Sequence, residues 1–190
     1  MSLVPAFQIG LWNAWIFMLY DLLAVPFYVR ILKSRGPASP AESDLSKTEG
    51  ILFLSSHAIF FATLIYSVFL PLKLGTMWFY VGLPIASIGL VTRTIVFANW
   101  ATTPRHEPVT KGLHRYSRHP MYLTAFLYYV GVSIASASWL FLLLLVVYTV
   151  GLLVGAEREE QGCLEKYGDA YREYMNRAPK WIGIPKSGEE

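Results

Sequence analysis

The feature that most constrains this chain is a series of five apolar stretches, each long enough to form a membrane-spanning helix. Such a helix needs about 20 mostly apolar residues. The stretches cover residues 8–32, 51–70, 74–98, 121–137 and 139–155. Only 15% of the 190 residues are charged, whereas a soluble domain carries roughly 25%. We therefore predict a single domain, residues 1–190, built as an all-α integral membrane bundle of five transmembrane helices.

The distribution of Lys and Arg predicts the orientation of this bundle. Positive residues flank the first connection, fill the segment between the third and fourth stretches, and follow the fifth stretch. The opposite side carries only Lys73. Because positive loops stay in the cytoplasm, we expect a multi-pass protein with its N-terminus outside. The C-terminus and the active site are then cytoplasmic.

Charge and composition exclude several kinds of function. The net charge of +3 is too small for a nucleic-acid binder without a concentrated basic face. A single cysteine, Cys163, allows neither an internal disulfide nor a cysteine-based metal cluster. His106, His114 and His119 could be metal ligands by type, but a proline and a glycine between the first two break any helical pairing. We predict no metal site.

Two polar segments, residues 99–122 and 156–184, remain as places for chemistry. The first is a cytoplasmic loop that holds three of the four histidines. The second has apolar residues at helical spacing, which predicts an amphipathic helix on the membrane surface or across the end of the bundle. These residues are Leu164, Tyr167, Tyr171, Tyr174 and Ala178.

Two clusters of polar side chains stand at the ends of apolar stretches. Residues 118–122, Arg-His-Pro-Met-Tyr, begin the fourth stretch, where a helix N-terminus could bind an anion or a polar cofactor group. They could equally be interface residues that start a helix. Glu157, Glu159 and Glu160 follow the fifth stretch, and helical spacing prevents all three from facing one way. We expect Glu157 to be solvated and Glu159 or Glu160 to face the histidine loop.

Arg93 is a positive charge inside the third stretch. Its side chain could extend to the membrane interface, or it could bind a substrate carboxylate.

An ordered set of motifs resembles the isoprenylcysteine carboxyl methyltransferase family and its relatives, the phospholipid methyltransferases. Residues 109–122 read Val-Thr-Lys-Gly-Leu-His-Arg-Tyr-Ser-Arg-His-Pro-Met-Tyr, and an apolar helical hairpin follows. Glu-Arg-Glu-Glu then stands at 157–160 and Tyr-Gly-Asp-Ala-Tyr-Arg-Glu-Tyr at 167–174. The resemblance covers roughly Asn99–Trp181, and small prokaryotic members are similar over the whole length.

The resemblance implies a methyltransferase that uses S-adenosyl-L-methionine in a cytoplasmic pocket closed by the C-terminal segment. Glu159, Tyr122 and Arg158 would be catalytic. Arg158 is the arginine nearest to the place where the family often has one for the substrate carboxylate, because this chain has Gly155 and Ala156 there. The residues implied to bind the cofactor are His106, Glu107, Pro108, Val109, His114, His119, Pro120, Met121, Tyr122, Glu159 and Glu160.

The expected acceptor is the carboxylate of an isoprenylated cysteine or of a similar small lipid acid. A carboxylate is ionised at neutral pH and needs no general base, so catalysis would rest on placing the reacting atoms in line. The expected partners are a lipophilic small molecule or prenylated peptide and membrane lipids, without nucleic acid.

Three alternatives remain open at this point. A phospholipid amine N-methyltransferase would also need to remove a proton from the acceptor. A membrane reductase of the sterol type would bind a nicotinamide cofactor. A non-enzymatic scaffold or transporter would bind neither cofactor.

Overall fold

The computed structural model describes residues 7–35 and 47–186, and all regular structure in these residues is helical. This confirms the predicted all-α class. A short 3₁₀ helix, Gly112–Arg115, lies in the connection before α4. The helices are α1 (Trp15–Arg35), α2 (Lys47–Phe69), α3 (Met77–Thr102), α4 (Pro120–Ala135), α5 (Trp139–Tyr167) and α6 (Asp169–Arg177).

Two of these helices, α3 and α5, are long and apolar enough to cross a membrane. Shorter apolar stretches occupy Leu54–Phe69 in α2 and Pro120–Ala135 in α4. These lengths agree with a membrane protein, while the number of crossings stays a prediction.

The first helix begins later than the sequence predicts, at Trp15 rather than at residue 8. The preceding residues bond instead to the connection between α2 and α3. The Gln8 amide donates to the Phe69 carbonyl at 3.0 Å, and the Ala14 amide donates to the Leu70 carbonyl at 2.8 Å. Their backbone groups are satisfied without a helical turn.

Helices α3 and α4 pack backbone to backbone. A Cβ atom on Gly82 would lie 2.2 Å from the Ala135 nitrogen, and one on Gly131 would lie 2.2 Å from the Ala86 nitrogen. A Cβ on Gly89 would come within 2.5 Å of the α4 backbone. Only glycine permits such an approach, and small residues are typical of close helix contacts in membranes.

A buried ionic cluster joins α1, α3 and α4. Arg93 Nη2 lies 2.7 Å from Asp21 Oδ1, and the Tyr129 hydroxyl donates to Asp21 Oδ2 at 2.8 Å. The guanidinium also lies over the Tyr20 ring, 5.4 Å from its centre. A charge among apolar helices is costly unless it is paired. Arg93 therefore has a protein partner, which neither sequence interpretation of this residue included.

The connection between α4 and α5 is short, as predicted. Ala137 adopts a positive φ of 51°, and the Ser138 hydroxyl caps α5 by accepting from the Phe141 amide at 3.2 Å. At this end of the bundle the Lys73 amide donates to the Ala135 carbonyl at 2.9 Å. The α2–α3 and α4–α5 connections therefore meet, and the ends of α3 and α5 lie at the opposite side.

The region after the fifth apolar stretch differs from the single amphipathic helix predicted over 156–184. Helix α5 continues without a break to Tyr167, and Gly168, with φ of 56°, separates it from α6. Residues 178–186, which we call the strap, follow α6 without regular structure. The apolar residues of the predicted amphipathic helix pack against one another: Tyr171, Tyr174 and Ala178 are buried against Leu164 and Tyr167.

Candidate functional site

The candidate site forms where the start of α4, the end of α5 and the strap meet. Pro120 occupies the first turn of α4, a position where its missing N–H leaves no bond unmade. The strap runs beside the residues just before it. The Arg118 amide donates to the Pro179 carbonyl at 2.9 Å, and the Gly183 amide donates to the Tyr116 carbonyl at 3.1 Å. The backbone thus fixes the position of His119.

His119 lies between two carboxylates of α5. Its Nε2 atom is 3.0 Å from Glu160 Oε1, and its Nδ1 atom is 3.6 Å from Glu159 Oε2. Arg118 Nε lies 3.0 Å from the same Glu160 oxygen. Only 4% of His119 and 8% of Glu160 are exposed. The Glu160 charge is therefore matched by Arg118 inside the protein.

Glu159 differs from Glu160 because it remains open to solvent. Its side chain is 39% exposed, against 10% for Glu160. The Tyr122 hydroxyl donates to Glu159 Oε2 at 2.6 Å, and the Tyr122 ring stacks on His119 at 5.4 Å between centres. Of the two acids, the geometry favours Glu159 as the one that contacts a ligand.

Trp181 of the strap covers a further part of His119, and the sequence analysis gave it no role. Its ring centre lies 5.3 Å from that of His119. Lys180 Nζ lies 5.8 Å from the Trp181 ring centre and 3.3 Å from Glu157 Oε1. The sequence signal that could have indicated a role for Trp181 is the presence of a tryptophan in a polar C-terminal segment. Its contact depends on the path of the strap, which shows no periodicity.

His114 is buried beside this cluster. Burial lowers its pKa to about 4, so the imidazole is neutral at pH 7. Among the residues that the structure describes, its Nδ1 atom has no hydrogen-bond partner. The Tyr174 hydroxyl fixes the local backbone by donating to the His114 carbonyl at 2.8 Å. An unpaired buried nitrogen is costly, and a polar group of a ligand would satisfy it.

The remaining predicted residues are less closely gathered. His106 and Glu107 pair with each other at 3.7 Å, and their side chains are 83% and 55% exposed. They lie on the loop surface, outside the cluster around His119. Glu157 is 76% exposed, which confirms its predicted solvation. Four more residues were predicted to bind the cofactor. Of these, Pro120 is buried, and Pro108, Val109 and Met121 are half-buried.

Arg158, the predicted acceptor-orienting residue, is half-buried on α5. In the described ranges 7–35 and 47–186, no three His, Cys, Asp or Glu side chains are grouped to hold a metal ion.

The arrangement suits a cationic ligand. The carboxylate of Glu159 is partly open, and the aromatic rings of Tyr122 and Trp181 both pack against the adjacent His119 ring. A cation gains from both a carboxylate and an aromatic face. The site can therefore hold a positively charged group at the end of α5, beside the apolar helices.

Comparison with known proteins gives one family. The family model described as phospholipid methyltransferase matches residues 72–170, which is just over half of the 190 residues. The match includes α3, α4 and α5, and with them His119, Glu159 and Glu160, but it ends before Trp181. No curated protein matches the chain.

Proposed function

The chain belongs to the phospholipid methyltransferase family, and from this premise we propose that it transfers the methyl group of S-adenosylmethionine to a lipophilic acceptor. The observation that carries the proposal is the cluster in which His119 lies between Glu159 and Glu160, beside Tyr122 and Trp181. An acid and aromatic rings at the end of apolar helices fit a cationic donor and a membrane-bound acceptor.

The residues fit the proposed methyl donor by their chemistry. When bound, S-adenosylmethionine supplies an electrophilic methyl group on a sulfonium cation. Glu159 can hold a positive group, because its carboxylate is partly open and is oriented by the Tyr122 hydroxyl at 2.6 Å. The unpaired Nδ1 atom of buried His114 provides a polar contact for an uncharged part of the ligand. The strap excludes water from one side of His119.

We further propose that the protein has five membrane crossings, with the site on the cytoplasmic side. The α2–α3 and α4–α5 connections meet at one end of the bundle, and this end carries Lys73 alone among positive residues. The site end carries the Lys- and Arg-rich segments. The positive-inside rule therefore supports a cytoplasmic site and an external N-terminus.

The first acceptor candidate is the carboxylate of an isoprenylated cysteine or a similar lipid acid. Such an acceptor is already ionised, so the protein needs only to align it with the methyl donor. Arg158, half-buried on α5 next to Glu159, is the residue proposed to orient that carboxylate.

The second candidate is the amine of an ethanolamine phospholipid, with which two observations are consistent. The matching family carries the phospholipid methyltransferase description. The site also contains the partly open Glu159 carboxylate, which can accept the proton that an ammonium must lose before methylation.

Calorimetric titration of the detergent-purified protein with S-adenosylhomocysteine tests the methyl-donor site, with NADPH as the control ligand. Binding of S-adenosylhomocysteine alone is expected. Binding of NADPH alone would support the reductase alternative, and binding of neither would contradict an enzymatic site.

Transfer of a labelled methyl group tests the acceptor. N-acetyl-S-farnesylcysteine and phosphatidylethanolamine are offered to the same preparation in lipid nanodiscs. Label on the farnesylcysteine supports the carboxylate proposal, and label on phosphatidylethanolamine replaces it with the amine. Label on neither, with S-adenosylhomocysteine bound, would refute both acceptors but not the donor site.

A further inference from the structure

Arg93 is a charged residue among apolar helices that has no part in the reaction described so far. Its Nη2 atom lies 2.7 Å from Asp21 Oδ1, whereas its Nη1 atom is buried and has no hydrogen-bond partner among the residues that the structure describes. A missing bond to a buried charged group is costly, and ionisable residues within a membrane commonly mark functional sites. The side chain keeps 21% of its surface exposed, so a ligand can approach it. Arg93 therefore has one donor group left for a ligand.

The Asp21–Arg93 pair belongs to a layer of polar side chains between α1, α3 and α4. Asp21 contacts both Arg93 and Tyr129, and we call these three residues the deep layer. A step of seven residues, or two helical turns of about 10 Å in total, leads from Asp21 to Tyr28 on α1 and from Arg93 to Trp100 on α3. The Tyr28 and Trp100 rings stack with centres 5.2 Å apart. The two helix faces that meet in the deep layer therefore stay together up to the site end of the bundle.

The third helix of the deep layer leads directly to the candidate site. The same step of seven residues on α4, taken in the reverse chain direction, leads from Tyr129 to Tyr122. The Tyr122 hydroxyl donates to Glu159 Oε2 at 2.6 Å. Because α4 begins at the end of the bundle where α3 finishes, all three steps point toward the site. The deep layer thus lies about 10 Å from the site along the helices, on the membrane side.

The charge of the deep layer determines what kind of group Arg93 Nη1 can bind. Asp21 already balances the guanidinium, and the Tyr129 hydroxyl donates to the second Asp21 oxygen at 2.8 Å. An added anion would leave an uncompensated negative charge among apolar helices, which is costly. An uncharged carbonyl oxygen accepts a hydrogen bond from Nη1 and leaves the charge unchanged. The deep layer therefore fits the carbonyl of an ester or amide better than a carboxylate.

We propose that the deep layer is a second polar subsite, in which Arg93 Nη1 binds a carbonyl oxygen of the methyl acceptor. The inference rests on the proposed function. The acceptor then carries this carbonyl about 10 Å, or two helical turns, from the atom that is methylated. The acyl ester of a glycerophospholipid stands roughly this far from its head-group amine, whereas the hydrocarbon chain of an isoprenylated cysteine carries no oxygen. Arg93 is thus a residue that selects acceptors with an ester linkage.

A matched pair of lipids tests the subsite. Diacyl phosphatidylethanolamine and its dialkyl ether analogue share a head group, but only the diacyl lipid has ester carbonyls. Labelled methyl transfer to each lipid is measured in dodecyl maltoside micelles, which contain no carbonyl group. The wild type is expected to prefer the diacyl lipid at least about 10-fold in kcat/KM, as for a hydrogen bond to a charged group. Arg93→Lys should abolish this preference, because an ammonium can pair with Asp21 but lacks the second nitrogen.

Tyr129→Phe is the matched control, because it removes a hydroxyl from the deep layer and leaves both terminal nitrogens of Arg93. It should lower the unfolding midpoint in detergent and keep the preference for the diacyl lipid. A merely structural role of the deep layer predicts instead that the two variants behave alike. Equal use of the two lipids by the wild type, or loss of the preference in both variants, would overturn the subsite.

A second measurement does not depend on turnover. A lipid that binds the folded protein raises its unfolding midpoint, so the diacyl lipid should raise the midpoint of the wild type more than the ether analogue does. Arg93→Lys should show equal shifts, and equal shifts in the wild type would overturn the subsite. Methyl transfer to N-acetyl-S-farnesylcysteine and to neither phospholipid would also overturn it, with the proposed function intact. Failure of S-adenosylhomocysteine to bind the wild type would instead contradict the proposed function.

Discussion

At the scale of single residues, His119 is held by polar and aromatic contacts from three segments of the chain. Both ring nitrogens face carboxylates, and Tyr122 and Trp181 contact the ring. Removing the imidazole would leave the two acids of α5 without their shared neighbour. Like charges at short range repel each other strongly when they are partly buried. The ring therefore separates the two carboxylates and shapes the site.

Replacing His119 by alanine is expected to weaken S-adenosylhomocysteine binding at least about 10-fold, or about 1.4 kcal/mol. Glu159→Ala should have a similar effect, because it removes the partly open acid. Calorimetry measures both. Glu157→Ala is the control, since that side chain is 76% exposed, and it should bind normally. Normal binding by both site variants would show that the donor site lies elsewhere.

The buried imidazole of His114 makes stability depend on pH. Burial lowers its pKa from 6.5 to about 4 in the folded protein, so between these values the unfolded chain binds more protons. Stability should therefore fall as the pH drops from 7 towards 4, by about 2 kcal/mol at pH 5 from this group. Thermal unfolding in detergent at pH 7 and pH 5 measures the loss. The His114→Gln variant should lose less on acidification, and an equal loss in both proteins would contradict this origin.

The sequence predicted part of this residue-scale picture. His119, Tyr122, Glu159 and Glu160 stand in motifs, and the structure brings them together. The Asp21–Arg93 pair was missed, because its partners lie on separate helices and no local spacing relates them. Whether the gathered residues bind the methyl donor stays a prediction.

At the scale of elements, the end of α5 depends on one backbone conformation. Helix α5 continues past its apolar part, carries four glutamates into the polar region and ends at Tyr167, with Gly168 as its C-cap. The φ of 56° and ψ of −127° at Gly168 are accessible to glycine and strained for other residues. This turn directs α6 back onto α5, where Tyr171 and Tyr174 are buried.

Gly168→Ala is expected to destabilise the protein by about 1–3 kcal/mol through backbone strain. The change should also expose α6 to limited proteolysis, because its docking depends on the turn. Gly50→Ala is the comparison, since Gly50 lies within α2, where alanine should be neutral or stabilising by up to about 1 kcal/mol. Unchanged unfolding and proteolysis of Gly168→Ala would refute a role for the turn.

The helices themselves could be predicted, because apolar length is a strong signal. Their ends could not. α1 starts at Trp15 because residues before it bond to a distant connection, and α5 extends to Tyr167 because polar residues continue a helix that apolar residues began.

At the scale of the whole molecule, the contact between α3 and α4 is the frame on which the site is built. Gly82 with Ala86 and Gly131 with Ala135 repeat the small-xxx-small spacing that permits close approach. This spacing was a usable sequence signal for the contact. The paired helices α3 and α4 extend from the end of the bundle where the α2–α3 and α4–α5 connections meet to the end where α4 begins at Pro120.

Gly131→Val is expected to destabilise the protein by at least about 3 kcal/mol, at the upper end of overpacking effects. The reason is that its Cβ would lie 2.2 Å from the Ala86 backbone nitrogen, which cannot move without shifting α3. Ile88→Val, at a position on α3 that is 57% exposed, should stay within about 0.5 kcal/mol. Unfolding midpoints in detergent compare the two, and a mild effect of Gly131→Val would contradict the close contact.

The bonds between the strap and the start of α4 have a consequence for synthesis. Ser117 and Lys180 are 63 residues apart, and the Trp181 ring belongs to the later segment. While a ribosome is still translating the part of that interval before Glu159, α3 and α4 can already pair, but His119 lacks its covering ring and both carboxylates. A nascent chain at this stage has its frame without its ligand site. Any binding that requires this assembled cluster can therefore report completed maturation and cannot guide the early insertion of the helices.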